Sequence, residues 1–278
     1  MASEVSSTPP RTSRQIGVSL LLASVLGSTL GIVVAQFVDS LGVGLLAEFL
    51  GGDAVIYNNR VEFTSASDLA WGGGFVLCLI VGFICLFAYP TIRDQGVARL
   101  VFLWVVLHLL RQSMTQAIML PFDEESSLAL AYDTFDAPAG LDMVIAAGGG
   151  IGLLLVALSA AAAFLAFTPH RRMVANGRRR ATLTLWLVVI PAVASAFLAI
   201  PFFLPDAESL VIRTLPYTPL MFLATLAAAP GTTTVEGPET ERLTPLPLGL
   251  LLFTAVVLLF HVLVLQGGFD VDPRNWGR

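Results

Sequence analysis

Six stretches of this chain are apolar almost without interruption, at 16–38, 72–89, 97–120, 141–167, 181–204 and 247–265. Each is close to the roughly 20 residues at which a helix, rising about 1.5 Å per residue, crosses the ~30 Å hydrocarbon layer of a bilayer. Inside that layer a backbone satisfies its own N–H and C=O groups only as a helix or a closed barrel. Barrel strands alternate apolar and polar residues, and these runs do not. The sequence therefore predicts an all-α, polytopic transmembrane helical bundle. A seventh stretch, 210–229, is equally apolar but carries Arg213, Pro216 and Pro219, so the expectation is six or seven spans.

Composition agrees. Hydrophobic residues make up 56% of the 278 and charged residues 13%, against about 25% charged in an ordinary soluble domain. A water-soluble fold of this size cannot hide that much apolar surface. The net charge of −5 gives no footing for nucleic acid. All fifteen basic residues are arginine, a bias of the whole chain rather than the chemistry of one site. Cys78 and Cys85 lie seven residues apart in one apolar run. On a helix that is a rise of about 10 Å, beyond disulfide reach.

The chain divides into a polar tail at 1–15, a single transmembrane domain at 16–266 and a polar tail at 267–278. The first run is too long for the hydrophobic core of a cleaved signal peptide. Residues 41–50 either prolong the first helix or fold back as a re-entrant piece. Gly51-Gly52-Asp53 ends that segment, and 55–63 (VIYNNRVEF) reads as a short β-hairpin turning at Asn58-Asn59. Residues 230–246 form a polar linker.

Arginines set the orientation. Arg93 and Arg99 flank one short loop, and Arg171, Arg172, Arg178, Arg179 and Arg180 crowd 168–180, whereas 121–142 has six acids and no base. The basic loops are expected in the cytoplasm, with the N-terminus, and the acidic stretch outside, in a bacterial inner membrane.

One span carries chemistry. In 104–116 (WVVLHLLRQSMTQ), Trp104, His108, Arg111, Gln112, Thr115 and Gln116 follow i, i+3, i+4, i+7 spacing. They fall within an arc of about 140° on one helical face. An arginine at that depth costs roughly 2.5–3.5 kcal/mol to insert, so the face is expected to turn inward toward acids or a wet cavity. Asp142 is the first expected partner of Arg111 and Asp39 the second, with Gln112 or a water bridging the gap. The candidate binding residues are His108, Arg111, Gln112, Thr115, Gln116, Asp39 and Asp142. No catalytic set, metal site or cofactor site is assigned. A zinc held by Asp39, His108 and Asp142 is conceivable in donor type, but no pair has metal-ligand spacing. Gly27/Gly31 and Gly148/Gly152 are small-residue pairs suited to close helix approach, and His261 is alone in the last span.

Asp39-Ser40-Leu41-Gly42-Val43, followed by Gly51-Gly52 and a β segment, with Phe135–Asp142 (FDAPAGLD) later, resembles the site-2-protease-like membrane metalloproteases. That family has H-E-x-G-H, then a later N-x-x-P-x-x-x-L-D-G whose Asp binds zinc. The likeness covers about 25–165. It implies that Asp39, Ser40 and Val43 stand where the first His, the Glu and the second His belong, and that Asp142 keeps the third ligand. Without both His ligands and the Glu base, the resemblance implies the fold without proteolysis. The expected function is a non-catalytic binding or scaffold protein. Its expected partners are the lipid bilayer and a transmembrane partner or small polar ligand. The alternative is a small transporter or proton-coupled carrier in which His108 and Asp142 exchange a proton. An active metalloenzyme is a third.

Overall fold

A computed structural model describes residues 13–58, 60–92, 96–135, 137–168, 174–203, 217–232 and 248–272. The described residues are 78% helical. Its helices are α1 (Ser13–Phe49), α2 (Gly72–Ala88), α3 (Val97–Met119), the short α4 (Ser127–Tyr132), α5 (Leu141–Leu165), α6 (Gly177–Thr184), α7 (Ile190–Ala199), α8 (Tyr217–Ala228) and α9 (Leu248–Leu265). Six are long and apolar enough to cross a membrane, counting α6 with α7 as one. Asn59, Arg93, Asp136, His170, Arg171, Arg172, Arg213 and Pro216, nearly all of the linker, most of the N-terminal tail and half of the C-terminal one lie outside the described residues.

Of the two alternatives for residues 41–50, the chain takes the first. Residues 41–49 continue α1, so that one helix runs 37 residues, about 55 Å. The hairpin forms as expected in kind, with β1 (Asp53–Ile56) antiparallel to β2 (Val61–Thr64) and Ile56 opposite Val61. A third strand, β3 (Phe269–Asp270), pairs with the other edge of β1, giving the order β2-β1-β3. Part of the expected C-terminal polar tail is therefore built into the sheet.

Side-chain contacts fix the directions of the helices. Leu20 and Ala23 pack with Leu100 and Trp104, and further along Asp39 meets Gln116, so α1 and α3 are parallel. The start of α2 meets Gly42 and its middle meets Leu109 and Leu110, so α2 returns between them. α5 is antiparallel to α3, with Gly149 on Ala117 and Phe164 on Trp104. α6–α7 runs with α1, since Ser24 meets Leu187 and Ile32 and Val33 meet Ala199 and Phe203. α9 also runs with α1, ending with Leu265 against Val43 and Ile56. The twelve-residue α8 runs the opposite way to α6–α7. Its Phe222 lies on Trp104 and, beyond its end, Ala229 packs with Leu165 and Leu183.

α3 sits at the centre, with fourteen of its residues buried. Outward faces are apolar instead. On α2 the exposed side chains are Val76, Ile80, Phe83, Ile84 and Phe87, a helical stripe. α5 and α9 show the same pattern, with Ile151 and Leu155 on the former and Leu252, Val256 and Leu263 on the latter.

Two close approaches depend on glycine. A Cβ on Gly42 or on Gly73 would meet the other residue's backbone, so α1 and the start of α2 touch main chain to main chain. A Cβ on Gly31 would stand 2.6 Å from His108 Cδ2 and 2.8 Å from the Trp104 carbonyl oxygen. On α5 the expected pair is shifted. Gly148 faces open space, and Gly149 and Gly152 are the residues that pack on Met114.

Candidate functional site

The polar face of α3 turns inward, as the cost of a buried arginine requires. His108, Arg111, Gln112, Thr115 and Gln116 are all buried, and Asp39 on α1 is buried with them. Because α1 and α3 are parallel, their polar residues meet in a nearly constant register. Trp104 meets Ser24, His108 meets Ser28, and Gln116 meets Asp39.

At the sheet end of this seam, Gln116 Nε2 donates to Asp39 Oδ1 at 2.6 Å. The Gln112 amide bonds the same carboxyl group, and Gln112 Oε1 accepts from Arg111 Nη2 at 3.4 Å. Gln112 thus stands between guanidinium and carboxylate, accepting from one and donating to the other. The carboxyl also lies against Gly74 in the first turn of α2, where the helix dipole favours negative charge. The absence of a Cβ there lets the group come so close. Cys78 Sγ lies nearby, 3.5 Å from the Ala35 carbonyl oxygen, and both cysteines are free.

The middle of the seam is a ladder of two rungs joining three helical segments. In the first rung Trp104 Nε1 donates to Ser24 Oγ at 2.9 Å, and Ser24 Oγ donates to the Leu187 carbonyl at 2.6 Å. That carbonyl is available for a chemical reason. Pro191 has no N–H to give to the residue four before it, and its ring crowds that carbonyl. The helix responds with one wide π-type turn, Leu185–Val189, in which the Ile190 N–H bonds Leu185. The second rung repeats the first one turn further along α1 and α3. His108 Nε2 lies 3.0 Å from Ser28 Oγ, Ser28 Oγ lies 2.6 Å from Ser195 Oγ, and Ser195 Oγ donates to the Ala192 carbonyl at 3.0 Å. The His108 ring is stacked on Trp104 with centroids 5.6 Å apart and meets the edge of Phe222 at 6.0 Å.

On the inward face of α3, His108 Nδ1, Thr115 Oγ1 and Gln116 Oε1 are buried with no hydrogen-bond partner among the described residues. His261 stands apart from this face. It lies on the edge of Phe203 at 5.5 Å and bonds the backbone of Asn58 in the hairpin rather than a neighbouring helix.

The expected role of Asp142 needs correction. It occupies the first turn of α5, half-exposed, and makes no hydrogen bond or ion pair among the described residues. In that turn an acid complements the helix N-terminus. Of the two acids expected near Arg111, Asp39 is the one joined to it, through Gln112. Asp39, His108 and Asp142 do not converge, and among the described residues no group of three His, Cys, Asp or Glu side chains gathers as a metal site.

Ser24, Ser28, Ser195 and Leu187 were not singled out from sequence. The one local signal was Pro191 within an apolar helix, which always leaves the fourth carbonyl before it without its usual donor. No family model, curated protein or solved structure matches this chain.

Proposed function

We propose that this chain is a multi-pass protein of the bacterial cytoplasmic membrane that binds a small polar ligand along the inward face of α3 and catalyses nothing. The apolar outer faces of α2, α5 and α9 support a lipid surround, since patches so large are rare on water-soluble monomers. Charge supports the orientation. Arg99, Arg178, Arg179 and Arg180 lie at the end where α1 begins, while Glu48, Asp123, Glu124, Glu125, Asp133 and Asp142 lie at the sheet end. The arginine end is then cytoplasmic.

The observation that carries the binding reading is that His108 Nδ1, Thr115 Oγ1 and Gln116 Oε1, on one face of α3, are buried without a hydrogen-bond partner among the described residues. More than about 90% of buried polar groups find a partner in protein or water, and those that do not call for an explanation. A bound molecule supplies one here. Kinship to the site-2-protease-like family, in this reading, is one of fold with proteolysis lost. Geometry gives less support to a carrier in which His108 and Asp142 exchange a proton, because Asp142 sits at a helix start with no contact to the seam.

The test is extraction of protein purified in lipid nanodiscs, followed by mass spectrometry and metal analysis. A polar small molecule near one per chain, lost in Gln116→Leu, is the expected result. A seam holding water alone in the wild type sinks the binding reading. One zinc per chain, lost in His108→Ala, replaces it with a metalloenzyme.

A further inference from the structure

One assignment of hydrogens uses every contact of the second rung as a hydrogen bond, and it places the proton of His108 on Nε2. In it the one hydroxyl hydrogen of Ser195 goes to the Ala192 carbonyl, which can only accept. The 2.6 Å contact between Ser28 and Ser195 then needs the hydrogen of Ser28. With that hydrogen spent, Ser28 Oγ faces His108 Nε2 as an acceptor, so Nε2 is the N–H of the imidazole. The first rung shows the same order in unambiguous groups, with Trp104 N–H to Ser24 O–H to the Leu187 carbonyl. In a neutral imidazole only one nitrogen is protonated, so Nδ1 is left with a bare lone pair.

That lone pair has a defined outlook. The Cδ2–Nε2 edge of the ring rests on α1, with Cδ2 at Gly31 and Nε2 at Ser28. The Nδ1 edge therefore turns away from α1. The ring is wholly buried, and Nδ1 has no partner among the described residues. Thr115 is seven residues further along, within about 20° of the same direction on the helix. Its buried hydroxyl is also without a partner. The Arg111 guanidinium lies between them on this strip and acts electrostatically on the imidazole.

From this we infer that the α3 strip takes a small molecule that presents an O–H or amide N–H to Nδ1 of His108 and is long enough to reach the Thr115 hydroxyl, about 10 Å further along the helix, as a second contact. A ligand offering only acceptors leaves the Nδ1 lone pair facing another lone pair. The inference rests on the proposed binding role and adds the polarity of the ligand.

The experiment is nitrogen NMR of histidine-labelled protein in lipid nanodiscs, titrated with acetamide and, separately, with N,N-dimethylacetamide. The two share a carbonyl, and only the first has N–H donors. Expected is a proton on Nε2 and none on Nδ1, with a saturable shift of the Nδ1 resonance by acetamide alone. Thr115→Val, about 10 Å further along α3 than His108, lies beyond the reach of so small a probe and is expected to leave that titration unchanged. A proton on Nδ1 overturns the inference while leaving the binding role intact, and so do equal shifts from both amides. An Nε2 proton with no saturable shift from either amide overturns the inference and the binding role together. All readings come from the wild-type fold or a conservative variant of it.

Discussion

Gln116 on α3 holds the carboxylate of Asp39 on α1 with a 2.6 Å hydrogen bond from its amide nitrogen. A neutral side chain thus carries the contact that a salt bridge might be expected to make. Removing the amide leaves the carboxylate buried with one donor fewer, and an unsatisfied buried group costs about 1–3 kcal/mol, more if charged. Gln116→Leu is expected to lower stability by at least that much in detergent unfolding. Asp39→Leu combined with Gln116→Leu is expected to recover part of the loss, because removing both members of a buried polar pair costs less than removing one. If the double variant is less stable than Gln116→Leu by the full cost of Asp39→Leu alone, the two residues do not act as a pair.

Ser24 and Pro191 form a second pair without touching. Ser24 satisfies the Leu187 carbonyl that Pro191 deprives of its usual donor. Ser24→Ala should cost about 1–3 kcal/mol. In a Pro191→Ala background the backbone N–H returns to residue 191 and can serve Leu187, so the same serine change should cost less. A double-mutant cycle measures this, with a coupling of about 1 kcal/mol expected for residues sharing one hydrogen-bond network. Strict additivity would falsify the account of the π-type turn.

The glycines give a paired prediction of opposite sign. Gly42→Ala or Gly73→Ala drives a methyl into facing backbone, and overpacking of this kind costs about 1–3 kcal/mol or more. Gly148 lies in the interior of α5 with nothing within 4 Å of an added Cβ. There an alanine removes only the glycine penalty and should stabilise by roughly 0.5–1 kcal/mol. Thermal unfolding of the three single variants checks the order.

Orientation is open to a direct check. An activity reporter fused near Asn176 should read as cytoplasmic and one near Ser127 as external, since Arg99, Arg178, Arg179 and Arg180 lie at the end where α1 begins and, of the described arginines, only Arg60 joins the acids at the sheet end. The reverse pattern would turn the proposed topology over.

Much of the architecture was legible in local sequence, because length and hydropathy act locally. The inward face of α3 was legible too, since six residues at helical spacing share one side and a buried arginine cannot face lipid cheaply. What sequence did not carry was depth and partnership. Asp142 was expected at Arg111 because it opens the next long span, but nothing local says how far along α3 that span begins its contact. Ser28 and Ser195 are 167 residues apart, and a serine in an apolar helix looks the same whether it bonds its own turn or another helix. β3 escaped notice because two residues, Phe269 and Asp270, have no periodicity to read.

The pairing of β3 with β1 sets an order in time. β1 is synthesised just after the first long helix, yet its second edge is not covered until Phe269 and Asp270 arrive, more than two hundred residues later. At 5–20 residues per second the ribosome takes roughly 10–40 s to make that stretch. For that interval the strand stands with one side unclosed, so the sheet can be completed only after α9 has been delivered.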